Sequence, residues 1–131
     1  MPILIDTNVA IGLRDGQPSV LANITSADLS IAISLVTLIE LEGGLSTDPS
    51  LAAMRRGRLD ALLEEVQVVP LGRSVVSTYG RILNATGFSR RKILDRLIAA
   101  TAIVHDVTLA TSNPADFRDV PGLKLEEWPA G

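Results

Sequence analysis

Four acidic residues stand at places in the sequence where their carboxylates could act together. Asp6 ends a short apolar run at the N-terminus, Glu40 and Asp116 each follow a later apolar run, and Asp95 opens an apolar helical stretch. Neighbouring carboxylates about 4 Å apart repel by roughly 1 kcal/mol per pair in water and more inside a protein. A divalent cation would relieve that repulsion, and oxygen ligands without cysteine suit Mg²⁺ or Mn²⁺ better than zinc.

Three of these acids also have an ordinary structural explanation. Asp6 could cap the helix that follows it, because aspartate is among the preferred N-cap residues. Glu40 could close a capping box by reaching back to the backbone N–H of Thr37. Asp116 lies three residues after Asn113 in a turn that begins with proline, where a capping role is again the ordinary expectation.

Asp95 is harder to explain by local structure. It lies one turn inside a predicted helix whose next residues are apolar, and burying an unpaired acid there is costly. An ion pair with Arg91, four residues earlier, is the alternative and would contribute only a few tenths of a kcal/mol. The combination of four acids therefore indicates a metal site more strongly than any one of them does.

Apolar runs of strand length alternate with helical patterns along the whole chain. This alternation predicts an α/β fold, a three-layer α/β/α sandwich with a central parallel sheet of four to five strands. The carboxyl ends of such strands form the usual ligand-binding edge, and three of the acids fall there. The predicted strands cover residues 3–6, 28–34, 66–71, 107–111 and, at the edge, 123–126; the predicted helices cover 8–14, 18–26, 37–44, 48–63, 73–86 (closed by Gly87), 90–105 (capped by Ser89) and a short turn from 113.

Composition sets the broad class of the protein. Hydrophobic residues make up 47% of the 131 residues, but only four are aromatic, so the core of the predicted single domain (1–131) is aliphatic. Without cysteine there are no disulfides. The chain has neither an apolar run long enough to span a membrane nor the pattern of an export signal, which predicts a cytoplasmic protein. A net charge of −3 argues against indiscriminate binding to polyanions.

Four segments in this order resemble the signature blocks of a PIN domain. The C-terminal Val120-Pro121-Gly122-Leu123 and Trp128 are similar to the end of the VapC-type toxins found in bacterial toxin–antitoxin pairs. The resemblance extends over essentially the whole chain. Its blocks are Ile5-Asp6-Thr7-Asn8, Ser34-Leu35-Val36-Thr37-Leu38-Ile39-Glu40-Leu41, Asp95-Arg96-Leu97-Ile98-Ala99-Ala100 and Thr111-Ser112-Asn113-Pro114-Ala115-Asp116-Phe117.

The resemblance implies a metal-dependent ribonuclease that hydrolyses RNA phosphodiester bonds with water activated on Mg²⁺ or Mn²⁺. Asp6, Glu40, Asp95 and Asp116 would be its acidic metal-site residues, with Asp6 and Asp95 as direct ligands. Hydroxyl and amide groups nearby would orient carboxylates or waters. The supporting polar residues are Thr7, Asn8, Thr111, Ser112 and Asn113; Ser112 departs from the family, where the residue after the threonine is often arginine.

RNA binding requires positive charge outside the acidic site. Two groups of basic residues could contact phosphates, one on the predicted helix at 48–63 and one just before Asp95. Either group could instead be a solvated helix face. The groups are Arg55, Arg56 and Arg58, and Arg90, Arg91 and Lys92.

Protein partners also follow from the resemblance. It implies a homodimer and a cognate antitoxin that lays an apolar helix along the toxin and holds it inactive. Apolar residues of the early helices could form the antitoxin groove or could belong to the core. These residues are Ile11, Leu13, Val20, Leu21, Leu38, Ile39 and Leu41.

Two other functions fit the sequence less well. A catalytically silent PIN-like module would bind RNA or protein only, but it would gain nothing from a repulsive cluster of acids. A phosphatase or phosphoacceptor with Asp6 as nucleophile would need an acid two residues later or a lysine late in the fold. This chain has Asn8 at that position, and its only lysines are Lys92 and Lys124.

Overall fold

The computed structural model describes residues 2–27 and 30–129, in which strands and helices alternate. The strands are β1 (Ile3–Ile5), β2 (Ile31–Ser34), β3 (Gln67–Val69), β4 (Leu109–Thr111) and β5 (Leu125–Glu127). The helices are α1 (Thr7–Arg14), α2 (Pro18–Ala27), α3 (Leu35–Gly44), α4 (Ala52–Glu65), α5 (Arg73–Thr86) and α6 (Ile93–Val104), with short 3-10 turns at Pro49–Leu51, Arg90–Lys92 and Pro114–Asp116.

All five strands are parallel and form one sheet in the order β3-β2-β1-β4-β5. Leu4 of β1 packs with α5 and α6 on one face, while Ile3 and Ile5 pack with α1, α2 and α4 on the other. Side chains alternate between the faces of a strand, so a strand that is apolar at every position must be covered on both sides. The predicted three-layer α/β/α sandwich is confirmed.

Helix α3 begins earlier than the sequence pattern predicts. Strand β2 runs into the helix without a loop, and the Ser34 hydroxyl accepts a hydrogen bond from the Thr37 backbone N–H at 3.0 Å. Ser34 is therefore the N-cap residue, and Thr37 lies inside the first turn. The predicted capping box of Thr37 and Glu40 is wrong, which leaves the Glu40 side chain available for another contact.

Other predicted boundaries differ by a few residues. Helix α6 begins at Ile93. Ser89 instead precedes the 3-10 turn before it, where its backbone carbonyl accepts the Lys92 N–H and its side chain caps no described backbone N–H. Two residues of the predicted second strand, Asp28 and Leu29, lie outside the described residues. The predicted end of α5 is confirmed, with Gly87 following it at φ 81°. No helix in the described ranges has the length and apolarity to cross a membrane.

The order of the strands creates a crevice beside β1. From β1 the chain passes to β2 and β3 on one side, and it then returns to β4 on the other. The segments that follow β1 and β4 therefore leave the sheet in different directions, and ligands of open α/β sheets bind at such a point. Asp6 follows β1 there, and Thr111 ends β4.

Candidate active site

A cavity of about 260 Å³ opens at this edge of the sheet. All four acids singled out in the sequence line it, although they are up to 110 residues apart in the chain (116 − 6). Two apolar side chains complete its wall. The lining consists of Asp6, Thr7, Asn8, Ile11, Glu40, Asp95, Asp116 and Phe117.

Asp6 is both a helix cap and a wall of the cavity. Its Oδ1 accepts the backbone N–H of Val9 at 2.9 Å, and its Oδ2 accepts the Thr111 hydroxyl at 2.5 Å. Burial raises the pKa of Asp6, the two hydrogen bonds oppose this, and repulsion from Glu40 and Asp116 adds to it. The capping interpretation is confirmed, and both oxygens are already engaged, which disfavours a nucleophilic Asp6.

The Glu40 carboxylate is held by a hydrogen bond from Thr7, the residue that follows Asp6. The Thr7 hydroxyl donates to Glu40 Oε1 at 2.7 Å and also lies 3.1 Å from the Thr37 hydroxyl. Thr7 therefore joins the segment after β1 to α3, and it orients a carboxylate 33 residues away.

Asp95 accepts no hydrogen bond from any described side chain and forms no ion pair with one. The alternative ion pair with Arg91 is therefore wrong. Partial burial raises the pKa of Asp95 to about 6, and repulsion from Asp116, Asp6 and Glu40 contributes. This carboxylate is destabilised in its charged form and is free to take a cation.

The segment after β4 supplies the remaining polar groups. Asn113 donates from Nδ2 to Asp116 Oδ2 at 2.7 Å, and its backbone N–H donates to the Thr111 hydroxyl at 2.9 Å. Asp116 does not cap the turn, because no side chain caps the 3-10 turn that contains it. Asn8 lines the cavity and is exposed, whereas Ser112 makes no side-chain hydrogen bond within the described residues.

The donors around the cavity suit a hard divalent cation, because they are carboxylate, hydroxyl and amide oxygens. As they stand, no three acidic or histidine side chains among the described residues are grouped closely enough to hold a metal ion. Asp95 has no hydrogen-bond partner within the described residues, whereas the other three carboxylates are held by Thr111, Thr7 and Asn113. The chemistry of these oxygen atoms therefore fits the expected metal.

Sequence reasoning missed an ion pair beneath the acids. Arg96, which directly follows Asp95, donates from both Nη atoms to the two carboxylate oxygens of Asp119 at 2.6 and 2.8 Å. Its side chain is 4% exposed. The pair ties the segment that carries Asp116 to α6. The available signal was an arginine beside the apolar part of α6, because a buried cation requires a partner.

The two basic groups differ in their surroundings. Arg55 donates to the Gly44 carbonyl, Arg56 pairs with Glu42 and Asp60, and Arg58 lies 3.8 Å from Asp15. None of the three lines the acidic cavity. By contrast, the exposed Arg90 and Arg91 form no ion pair with any described residue. The second group therefore has free charge, whereas in the first group Arg56 and Arg58 lie beside acids.

A family model described as PIN domain matches residues 3–123. The chain is 35% identical to Ribonuclease VapC1 of Rickettsia felis over 131 residues, which is 95% of each chain. It is 27% identical to Ribonuclease VapC2 of the same organism over 135 residues, 98% of each chain. Identity to Ribonuclease VapC19 of Mycobacterium tuberculosis is 33% over 126 residues, 92% of this chain and 96% of that one.

Two solved structures extend the similarity to the fold. VapBC2 of Rickettsia felis bound to a promoter DNA fragment contains a chain with a TM-score of 0.84 at 28% identity, covering 98% of this chain and 99% of that one. FitAcB of Neisseria gonorrhoeae gives a TM-score of 0.76 at 26% identity, covering 94% and 95%. Both similarities cover nearly the full length of the chains compared.

Proposed function

The chain belongs to the PIN domain family, and on that premise we propose that it is an endoribonuclease that uses Mg²⁺ or Mn²⁺ and acts as the toxin of a toxin–antitoxin pair. Its relatives named Ribonuclease VapC support the reaction. The observation that carries the proposal is the meeting of four carboxylates around one cavity, with Asp95 unpartnered among the residues that the structure describes.

In this proposal the acids of the cavity bind the metal, and the polar residues beside them position the acids. Asp6 and Asp95 would hold a divalent cation directly, and Glu40 and Asp116 would hold it directly, through water or at a second ion. When bound, the cation would supply positive charge that lowers the pKa of water and neutralises the scissile phosphate. Three polar contacts fix carboxylates before substrate arrives, which limits the reorganisation required during the reaction. They are Thr111 to Asp6, Thr7 to Glu40 and Asn113 to Asp116.

Removal of divalent cations tests this proposal. RNA cleavage by the wild-type chain should be lost in EDTA and should return when Mn²⁺ or Mg²⁺ is added in excess. In the absence of RNA, Mn²⁺ at about 100 times its Kd should stabilise the fold by about 2.7 kcal/mol, measured by thermal unfolding. Cleavage that persists in EDTA would contradict the metal assignment, and RNA binding without cleavage in either ion would favour the silent module.

Arg90 and Arg91 should contribute to RNA binding rather than to the chemical step. The double variant Arg90→Ala/Arg91→Ala should raise KM about five- to tenfold, leave kcat within twofold, and lower the salt dependence of binding by roughly one to two counterions. Its matched control is Arg55→Ala/Arg56→Ala, which removes the same charge from arginines already bonded within the chain. Equal effects in both double variants would show that only net charge matters.

An antitoxin partner is part of the proposal, since similar chains occur in VapBC complexes. The residues proposed for its groove divide into two classes. Val20 and Leu41 are core, whereas Leu21 and Ile39 are 43% and 59% exposed. Leu13 and Leu21 line an apolar groove of about 300 Å³ that suits a helix of the antitoxin. The neighbouring open reading frame identifies the candidate partner. The homodimer stays a prediction.

A further inference from the structure

A continuous chain of side-chain hydroxyls leads from the end of β2 to Glu40. The Ser34 hydroxyl lies 3.2 Å from that of Thr37, and the Thr37 hydroxyl lies 3.1 Å from that of Thr7. Thr7 in turn donates to Glu40 Oε1 at 2.7 Å. Three hydroxyls from β2, α3 and α1 thus form a linear series that ends at one carboxylate of the cavity.

The number of protons available gives this series of hydroxyl hydrogen bonds a single donor-to-acceptor direction. Each hydroxyl has one proton, and that of Thr7 is used on Glu40, so Thr7 must accept from Thr37. Thr37 has then used its own proton, so it accepts from Ser34. The Ser34 oxygen accepts the backbone N–H of Thr37, which completes the pattern. Every hydroxyl in the series therefore donates in the direction of the Glu40 side chain.

The hydroxyls behind Thr7 are fully enclosed. Thr37 is 0% and Ser34 is 1% exposed, so water does not compete for their bonds. A buried hydroxyl is costly unless it is bonded, and valine would fill the position of Thr37 with nearly the same shape. Helix capping requires only the backbone N–H of Thr37 and the hydroxyl of Ser34. The hydroxyl of Thr37 thus has no role in the helix cap.

We propose that Thr37 and Ser34 are positioning residues that hold Glu40 through Thr7. A glutamate side chain has three rotatable bonds, and Thr7 is the group that fixes this one. Thr37 orients the Thr7 hydroxyl by donating to its oxygen, which leaves the Thr7 proton for Glu40 alone. The inference rests on the proposed metal-dependent function, because it assigns these residues to one carboxylate of that site.

Three single variants test the role of the Thr37 hydroxyl. Thr37→Val keeps the shape and the helix cap but removes the hydroxyl, and Thr37→Ser restores it. Thr101→Val is the matched control, because Thr101 is 1% exposed and donates only within its own helix, to the Leu97 carbonyl. For each protein we would measure the Kd for Mn²⁺ alone by isothermal titration calorimetry, and kcat and KM for RNA cleavage.

Thr37→Val should weaken Mn²⁺ binding and lower kcat, each by about tenfold, with KM for RNA unchanged, as is typical of groups that orient metal ligands. Thr37→Ser and Thr101→Val should stay within about threefold of the wild type. The inference is overturned if Thr37→Val binds Mn²⁺ and cleaves RNA like the wild type, or if Thr37→Ser is impaired as much as Thr37→Val. A wild-type chain that binds Mn²⁺ but cuts no RNA would instead refute the proposed function.

Discussion

Asp95→Asn should cut RNA at least about 100-fold more slowly than the wild type and yet unfold at a higher temperature. Activity falls because an amide cannot replace the one carboxylate of the cavity that has no partner within the described residues. Stability rises because the charged form of Asp95 is disfavoured by burial and by three neighbouring acids. The negative charge of Asp95, which the proposed metal site requires, therefore lowers the stability of the fold.

The gain in stability should depend on pH in a defined direction. The pKa of Asp95 is raised to about 6 from 3.8, so the folded wild type is penalised above pH 6 and the penalty fades as the pH falls toward 4. At pH 7.5 we expect Asp95→Asn to be more stable by about 1 kcal/mol, a value reduced for solvent screening of a partly exposed group. That corresponds to a rise in Tm of about 3 °C.

Asp60→Asn is the matched control for this variant. It also removes one negative charge, but Asp60 lies exposed on α4 and pairs with Arg56 away from the cavity. It should cleave RNA at the wild-type rate and change stability by no more than about 0.5 kcal/mol. Cleavage of RNA by Asp95→Asn at the wild-type rate would show that the metal-site assignment is wrong. A loss of stability in Asp95→Asn at pH 7.5 would show that the repulsion among the acids is unimportant.

Asp119→Asn should destabilise the fold by about 2 kcal/mol, which lowers Tm by roughly 6–8 °C. The substitution leaves the Arg96 guanidinium buried against a neutral amide, and the Nε of Arg96 already has no hydrogen-bond partner in the described part of the chain. The effect stays below that of a fully buried pair because Asp119 is half exposed. Arg96→Met should cost less than Arg96→Ala, because an apolar side chain of similar length fills the space and removes the charge.

The same pair has a pH signature of opposite sign to that of Asp95. Its hydrogen bonds with Arg96 lower the pKa of Asp119 to about 2, below the ordinary 3.8. The stabilisation is therefore fully present above about pH 4 and is lost as the pH falls through 2. The advantage of the wild type over Asp119→Asn should persist to pH 4 in thermal unfolding and shrink below it.

Asp106→Asn serves as the control for Asp119→Asn. Asp106 pairs with Lys124 at 2.7 Å, but both side chains are largely exposed, so this pair should contribute no more than about 0.5 kcal/mol. Asp106 also has φ 52°, a conformation that asparagine tolerates well. Equal losses in Asp119→Asn and Asp106→Asn would mean that burial of Arg96 is unimportant.

Local pattern in the sequence was sufficient for the fold class and for the positions of the four acids. Strands that are apolar at consecutive positions require cover on both faces, which predicts a parallel sheet between helices. An acid directly after such a strand, as Asp6 is after β1, must lie at the carboxyl edge. Asp95 was also identifiable, because an acid near the start of an apolar helix conflicts with its surroundings. These inferences depend on neighbours within a few residues.

The tertiary structure alone decided the long-range contacts that hold acidic side chains. Thr7 meets Glu40 across 33 residues, Arg96 meets Asp119 across 23, and Thr111 meets Asp6 across 105. The N-cap of α3 is Ser34 rather than Thr37 because strand and helix join without a loop. Such contacts depend on how the layers pack, and the local spacing of residue types does not specify that packing. The sequence therefore located the carboxylates, and the packing of α1, α3 and β4 around β1 determined how Asp6 and Glu40 are held.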